Sequence, residues 1–295
     1  MTETAPAPLP CPLCGGTELA PVFYPPLVRC GGCGLVFRNL QGLQERVREG
    51  FDTIYSQPAL DQWVQVRRGG LYREFLGRYH PAPGRNRLLD VGCGSGQFLA
   101  LARERGWDVM GVEVAEAGAA VVRTLGLPVC VGSLPAAALP ESSYDVVTFW
   151  NVLDCVPDPV DQLGAAKRLL APGGLLFARV NNLTFHSALY RVSRLLRPRP
   201  RLADLLLKQY IFNQVCFNPR TLRRILERAG FRRIEISNSP PSYGDPYRTA
   251  PRGGDRVLQI MKRSTYGLAW LVASLTGGRR LLASSLVAEA VNEGG

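Results

Sequence analysis

Histidine is scarce: the 295-residue chain holds two, His80 and His186, so an imidazole base has only two candidates. Acid is short as well, with 24 Asp and Glu against 35 Lys and Arg. The surplus is local, since Phe185 to Arg263 carries 17 basic and 5 acidic residues and the rest is nearly balanced. A basic lobe of this kind suits an anionic partner such as phosphate, nucleic acid or lipid head groups. Long apolar runs are missing. Tyr266 to Leu275 is far shorter than the roughly 20 residues that span a bilayer. The first residues, Met-Thr-Glu-Thr-Ala-Pro, have neither a basic start nor an apolar core, so no signal peptide is expected. A secreted disulfide framework is also absent: four of the eight cysteines crowd into the first 33 residues and four are scattered. That usage fits a reducing compartment and a cytoplasmic protein. There is no internal repeat and no long low-complexity tract. At 46% apolar and 20% charged the chain is globular, with room for one large domain and a small satellite.

The cysteine cluster has metal-ligand spacing. Cys11-Pro-Leu-Cys14 and Cys30-Gly-Gly-Cys33 form C-x2-C-x15-C-x2-C. Four thiolates close a tetrahedral shell around zinc at about 2.3 Å, leaving no open position, so the metal is structural. Two disulfides are the competing reading. Residues 1–40 are expected to form this ribbon, with Leu19 to Arg29 as a short strand. Residues 41–80 read as a helical connector carrying Phe51, Tyr55, Trp63, Tyr72, Phe75 and Tyr79. These rings either pack as core or wall a pocket.

His80-Pro-Ala-Pro-Gly opens the main domain, 81–295. Arg87-Leu-Leu-Asp90-Val91 is a buried strand, Gly92-Cys93-Gly94-Ser-Gly96 a glycine turn, and Gln97 to Arg105 a helix. The turn lacks the third glycine position of a dinucleotide fingerprint and the Lys-Ser/Thr of a P-loop. Asp108 to Glu113 is a second strand ending in a carboxylate, 23 residues after Asp90 and able to accept both hydroxyls of a ribose. Further strands are expected at Val129–Val131, Tyr144–Phe149, Leu175–Val180 and Phe231–Ile236, with helices at Ala115–Leu125, Asp161–Leu170 and after Asn218-Pro219. A last antiparallel strand, Ser285–Val291, is expected at the sheet edge.

Asp-Val-Gly-Cys-Gly-Ser-Gly, Tyr-Asp-Val-Val, Asn-Val-Leu-Asp-Cys-Val-Pro-Asp-Pro and Leu-Leu-Ala-Pro-Gly-Gly, in that order, resemble the class I S-adenosylmethionine-dependent methyltransferases over roughly Arg85 to Ile236. The ribbon ending Cys33-Gly-Leu-Val-Phe37 is similar to a bacterial subgroup loosely linked to glycan and cell-envelope modification. The resemblance implies an α/β, Rossmann-like, doubly wound seven-stranded sheet that binds S-adenosylmethionine. It implies that Gly92, Cys93, Gly94 and Gly96 line the methionine and ribose side, and that Asp90 holds the loop or reaches the cofactor's amino group. Glu113 and Val114 would meet the ribose, Ser133 and Leu134 the adenine, and Asn151, Val152 and Leu153 would close the pocket. The family often has an acid where Ser133 stands and histidine where Cys155 stands. Adenine recognition here would then fall to backbone, and no histidine chemistry is implied at Cys155.

Two insertions, at about 181–217 and 237–283, would roof the site and carry the surplus charge. Their apolar faces flanked by Arg and Lys fit packing on their own domain, peripheral contact at the inner membrane surface, or a polyanion. His186 and Asp154 are the candidates for a base that deprotonates an oxygen acceptor, and Tyr210 for orienting substrate. The expected activity is O-methylation of a small-molecule, glycan or lipid-linked acceptor. An rRNA or tRNA methyltransferase and a non-catalytic cofactor-binding scaffold remain as alternatives.

Overall fold

A strand such as Arg87-Leu-Leu-Asp-Val, apolar on successive residues, can only sit where both faces of a sheet are covered. The computed structural model describes residues 9–24, 26–40, 43–56, 58–196, 212–242 and 255–294, and there this strand lies inside a seven-stranded sheet. The chain begins with β1 (Leu19–Pro21), β2 (Leu27–Cys30) and β3 (Val36–Arg38), followed by helices α1 (Leu43–Tyr55) and α2 (Pro58–Arg78). The main domain runs β4 (Arg87–Val91), α3 (Gln97–Arg103), β5 (Asp108–Glu113), α4 (Glu116–Thr124), β6 (Val129–Val131), β7 (Tyr144–Trp150), α5 (Pro159–Leu169) and β8 (Leu170–Asn181). It continues through α6 (Leu183–Leu195), β9 (Val215–Cys216), α7 (Pro219–Arg228), β10 (Arg233–Ser239), α8 (Asp255–Leu275) and β11 (Ser285–Val291).

The large sheet has the order β10-β11-β8-β7-β4-β5-β6. Strands β4 to β8 pair in parallel, and β11 runs antiparallel to both β8 and β10. Ser285–Val291 is antiparallel as expected, but it does not take the edge position expected of it. It inserts between β8 and β10, and β10 becomes the edge. The run Ser-Leu-Val-Ala is buried residue after residue, which suits an interior strand better than an edge. One face of the sheet is packed by α2 and α3 through Leu71, Phe75, Phe98 and Leu99. The other is packed by α5 and α7 through Leu163, Leu222 and Ile225.

Leu19 to Arg29 folds as two strands, β1 and β2, paired Leu19 to Cys30, where a single strand was expected. Pro26, just ahead of β2, has no N–H to continue a ladder. The ribbon does not stand apart. Strand β9 pairs with β3, so the first insertion completes a four-stranded sheet with the ribbon. Cys11, Cys30, Cys33 and Phe37 share one apolar cluster with Phe217 and Leu222, and Arg224 Nη1 donates to the Cys33 carbonyl at 3.1 Å. Helix α7 is capped as its sequence demands: Asn218 and Thr221 exchange side-chain and backbone hydrogen bonds ahead of Pro219 at the first turn. Residues 197–211 and 243–254, which hold Tyr210 and much of the basic surplus, lie outside the described residues, as does the side chain of Trp63.

Candidate active site

The carboxyl ends of β4, β5, β7 and β8 open on a cavity of about 880 Å³. At the tip of β4 the turn is tight. Gly92 (φ +67°) faces Val152, whose Cγ2 would be 2.5 Å from an added Cβ. Gly94 (φ +57°) leaves room that the Tyr55 hydroxyl enters, 2.6 Å from where a Cβ would stand. Any side chain at these two positions meets both a backbone penalty and a clash. Glu113, at the end of β5, is 4% exposed. Its Oε2 accepts from Gly94 N at 2.7 Å and its Oε1 from Ala115 N at 2.9 Å. Burial raises its pKa against these amide bonds. Asp90, 2% exposed, accepts from Thr148 Oγ1 at 2.6 Å. Burial pushes its carboxyl up to about 7, opposed by the Thr148 bond.

The structure brings Gly92, Glu113, Asn151 and Val152 to the cavity wall. It sets Asp90, Cys93 and Leu153 behind that wall as buried support. Ser133 and Leu134 sit at the turn after β6, and Val114 at the start of α4. Tyr55 overlies both Gly94 and Gly118 beside the cavity. Helix α1 is held there by Asp52, whose Oδ1 accepts from Ala117 N at the start of α4. The connector rings therefore divide: Phe51 and Tyr55 line the cavity, whereas Tyr72 and Phe75 are core.

Beyond the glycine turn the wall comes from distant segments. Tyr24 and Arg38 come from the ribbon, Arg67 and Arg68 from α2, Phe185, His186 and Leu189 from α6, and Met261, Lys262 and Tyr266 from α8. Described residues of both insertions thus line the cavity. His186 is 2% exposed and its Nε2 lies 3.0 Å from the Ser284 carbonyl. A carbonyl can only accept, so Nε2 carries the proton and Nδ1 the lone pair. Burial lowers its pKa to about 4. Asp154 is 1% exposed and off the wall. Its Oδ2 accepts from Asn181 N, Asn181 Nδ2 and Asn213 Nδ2 at 3.2, 2.8 and 2.9 Å. It anchors two asparagines that face the cavity. Cys155 Sγ leans on the Asn151 carbonyl at 3.5 Å.

Sequence reasoning passed over Arg179. It is 5% exposed in the apolar run of β8, and it donates from Nε to Ser239 Oγ at 2.9 Å, from Nη1 to Asn151 Oδ1, and from Nη2 to the Pro240 carbonyl at 3.2 Å. Asn151 holds a left-handed backbone (φ 60°) at the end of β7, unusual for a non-glycine residue. The signal was available: one charge inside an otherwise buried strand is costly without a purpose.

Several features fit a nucleoside ligand: a glycine cradle closed to any Cβ, a carboxylate at the next strand end, and buried polar atoms without a partner. Gln97 Oε1, just after the glycine turn, and Trp150 Nε1, on the cavity wall, are two such atoms. The four ribbon sulfurs lie within 4.8 Å of one another, with Cys11 to Cys33 at 3.4 Å and Cys14 to Cys30 at 3.5 Å. Sulfurs at the corners of a zinc tetrahedron stand about 3.8 Å apart, so this donor set could hold zinc with little adjustment.

Residues 63–236 match a family model described as a methyltransferase domain. The chain belongs to that methyltransferase family. The class I fold and the S-adenosylmethionine cofactor expected from its motifs stand with it. Two similar relatives are ubiquinone biosynthesis O-methyltransferases. That of Acinetobacter baumannii (strain AYE) is 30% identical over 138 residues, 44% of this chain and 53% of that protein. That of Pseudomonas aeruginosa (strain UCBPP-PA14) is 34% identical over 113 residues, 36% of this chain and 49% of that protein. The chain spans about half the length of these relatives. Among solved structures, a chain from the complex of the Haloferax volcanii Trm112 methyltransferase activator with a methyltransferase has a TM-score of 0.57 at 17% identity, covering 84% of this chain and 98% of that one. The cyclase SpnF has a TM-score of 0.53 at 16% identity, covering 85% and 97%. At these identities the likeness is one of fold, and a cyclase among methyltransferases shows that fold alone does not set the reaction.

Proposed function

We propose that the protein transfers a methyl group from S-adenosylmethionine to an oxygen of a small-molecule, glycan or lipid-linked acceptor. The observation that carries this reading is continuity. The glycine turn and Glu113 open, within one cavity, onto walls supplied by the ribbon and both insertions. The O-methyltransferase activity of the two relatives supports an oxygen acceptor.

The cofactor, when bound, supplies a methyl already activated on a sulfonium, so in-line displacement needs mainly positioning. Glu113 would accept the ribose hydroxyls, and Gly92 and Gly94 let the backbone approach. Arg68, which donates to the Trp150 carbonyl at 3.4 Å beside the turn, suits the cofactor's carboxylate. Asn151 is held in its strained conformation by Arg179 at the end where the two ligands would meet. His186 Nδ1 would take the acceptor's hydroxyl proton, as the hydroxyl oxygen forms its new bond to carbon. Its low pKa keeps it neutral and able to accept at pH 7. Asp154 serves as a positioning residue through Asn181 and Asn213. Cys11, Cys14, Cys30 and Cys33 would hold a structural zinc that fixes the ribbon wall.

No helix among the described residues is long and apolar enough to cross a membrane. Helix α8 nevertheless exposes Ile260, Leu268, Trp270, Leu271 and Leu275, while Met261 and Tyr266 of the same helix line the cavity. With Arg256, Lys262 and Arg263 alongside, we infer a face that rests on an anionic bilayer and offers an amphiphilic acceptor a short route inward. Co-sedimentation with vesicles containing anionic lipid, and its loss with zwitterionic lipid, is the expected result; sedimentation with neither removes the membrane role.

Incubation of cell extract with methyl-labelled cofactor, followed by fractionation, tests the activity. Label is expected in the lipid or small-molecule fraction. Label confined to RNA would overturn the acceptor class, and label in no fraction would overturn the activity.

A further inference from the structure

The cavity wall carries mainly positive charge. Arg38, Arg67, Arg68, Arg179 and Lys262 lie on it, and Glu113 is the one carboxylate among its described lining residues, with both oxygens bonded to backbone amides. Arg179 is bonded only to neutral groups: a serine hydroxyl, an asparagine oxygen and a backbone carbonyl. Arg38 likewise donates to the Phe212 carbonyl at 2.7 Å and the Tyr24 hydroxyl at 3.2 Å. Among the described residues, Arg38, Arg68 and Arg179 make no ion pair.

A guanidinium cannot escape this by losing its proton at neutral pH. Burial, and then the neighbouring Arg68, lower the pKa of Arg179 only to about 10, so it stays charged. Of the three only Arg179 is buried, and Asp154 offsets its charge through space without an ion pair, as Asp90 does for Arg68; a buried cation so incompletely paired is costly. The cofactor does not relieve it. With a sulfonium, an ammonium and one carboxylate, it adds net positive charge to the same space.

We propose that the acceptor is an anion, bearing a carboxylate or phosphate group that docks on the wall built by Arg38 and Arg179. Its apolar body lies against Tyr24, Phe185 and Phe212, and its methylatable oxygen turns toward His186. Planar, forked donors suit an oxyanion better than a point charge does. The anion adds a direct ion pair to the partial compensation that Asp90 and Asp154 give from behind the wall, so it acts in both affinity and orientation. This inference rests on the methyl-transfer reading given above.

The test keeps the two apart. Calorimetric binding of S-adenosylhomocysteine is measured first, and its absence would sink the methyl-transfer reading itself. In protein saturated with that product, two matched probe pairs are then titrated: protocatechuate against its primary amide, and phenyl phosphate against phenol. At least one charged member is expected to bind ~10-fold or more tightly than its neutral partner. Preference in the first pair alone assigns a carboxylate, and in the second alone a phosphate. Arg38→Gln should erase the preference and Arg38→Lys should retain part of it, both with unchanged S-adenosylhomocysteine affinity. Should Arg38→Gln fail to fold, the wild-type pairs still decide. Equal binding of charged and neutral members in both pairs, or binding of none at millimolar concentration while the product binds, overturns the proposal.

Discussion

At one end of the cavity Gly92, Gly94 and Glu113 come from some twenty consecutive residues folded as strand, turn, helix and strand. At the other end Tyr24, Arg38, His186, Asn213 and Lys262 come from the ribbon and two insertions, brought together only by the finished fold. The first end is made of backbone amides and one acid, a surface tuned to a single ligand. The second is made of aromatic and cationic side chains on elements added around the sheet. Such a division lets the acceptor change while the cofactor stays, because substitutions at one end need not pass through the other.

The largest break between the two ends should come from the ribbon. Elemental analysis is expected to give one zinc per chain. Structural zinc in small cysteine sites is worth on the order of 10 kcal/mol of folding free energy at neutral pH. Stripping it with a chelator, or changing Cys11 and Cys33 to serine, should abolish acceptor binding yet leave S-adenosylmethionine affinity within about 3-fold by calorimetry, as expected of independent sites. Loss of both together would show that the two ends are one unit.

The cofactor end should break next. Gly94→Val, which forces a β-branched side chain into positive φ and onto Tyr55, and Glu113→Ala should each lower S-adenosylmethionine affinity by ~10-fold or more. Unchanged calorimetric binding in both would contradict the assignment. Binding at this end should also depend on pH. The Asp90 carboxyl titrates at about 7 without ligand, and its ionised form favours the cofactor's positive charge. Affinity should therefore rise with pH by at most roughly tenfold per unit below 7 and level off above. Asp90→Asn should flatten that profile.

His186 sharpens the comparison from the acceptor side. The ordinary histidine pKa is near 6.5, and burial lowers it to about 4 in the folded protein. The unfolded chain therefore binds the proton first, and stability that is complete above pH 6.5 is lost as pH falls toward 4. At saturating cofactor kcat should be flat from pH 6 to 8, with any acid limb near 4 rather than 6.5. His186→Asn should remove His186's contribution to the acid loss of stability and lower kcat with little change in cofactor affinity.

The smallest effect is expected at Tyr55. Its hydroxyl stands over Gly94, in space the nucleoside would use. Tyr55→Ala should shift cofactor association by a factor of about 2 to 5, which stopped-flow fluorescence can resolve.

These differences follow from what a local sequence can carry. Asp90 to Glu113 could be read because each residue's task depends on near neighbours: apolar runs for buried strands, glycines for positive φ, an acid at a strand end. The seven-stranded sheet followed from the family resemblance, although the place of Ser285–Val291 depended on burial of both its faces. The acceptor wall was opaque for the opposite reason. Nothing near Arg38 announces Phe212, and nothing near Asp154 announces Asn213, because 174 and 59 residues separate these partners. His186 was visible as a rare residue, but its tautomer depends on Ser284, 98 residues away. Arg179 lay between these cases, a single charge in an apolar strand whose meaning appeared only with Asn151 and Ser239 beside it.

The most direct test of the whole account is a crystal structure of the protein with S-adenosylhomocysteine. The account predicts the ribose hydroxyls on Glu113, the homocysteine end over Gly92 and Gly94 beside Arg68, and the sulfur facing the open cavity toward His186. A nucleoside bound elsewhere, or a cleft that stays empty at saturating ligand, would contradict it.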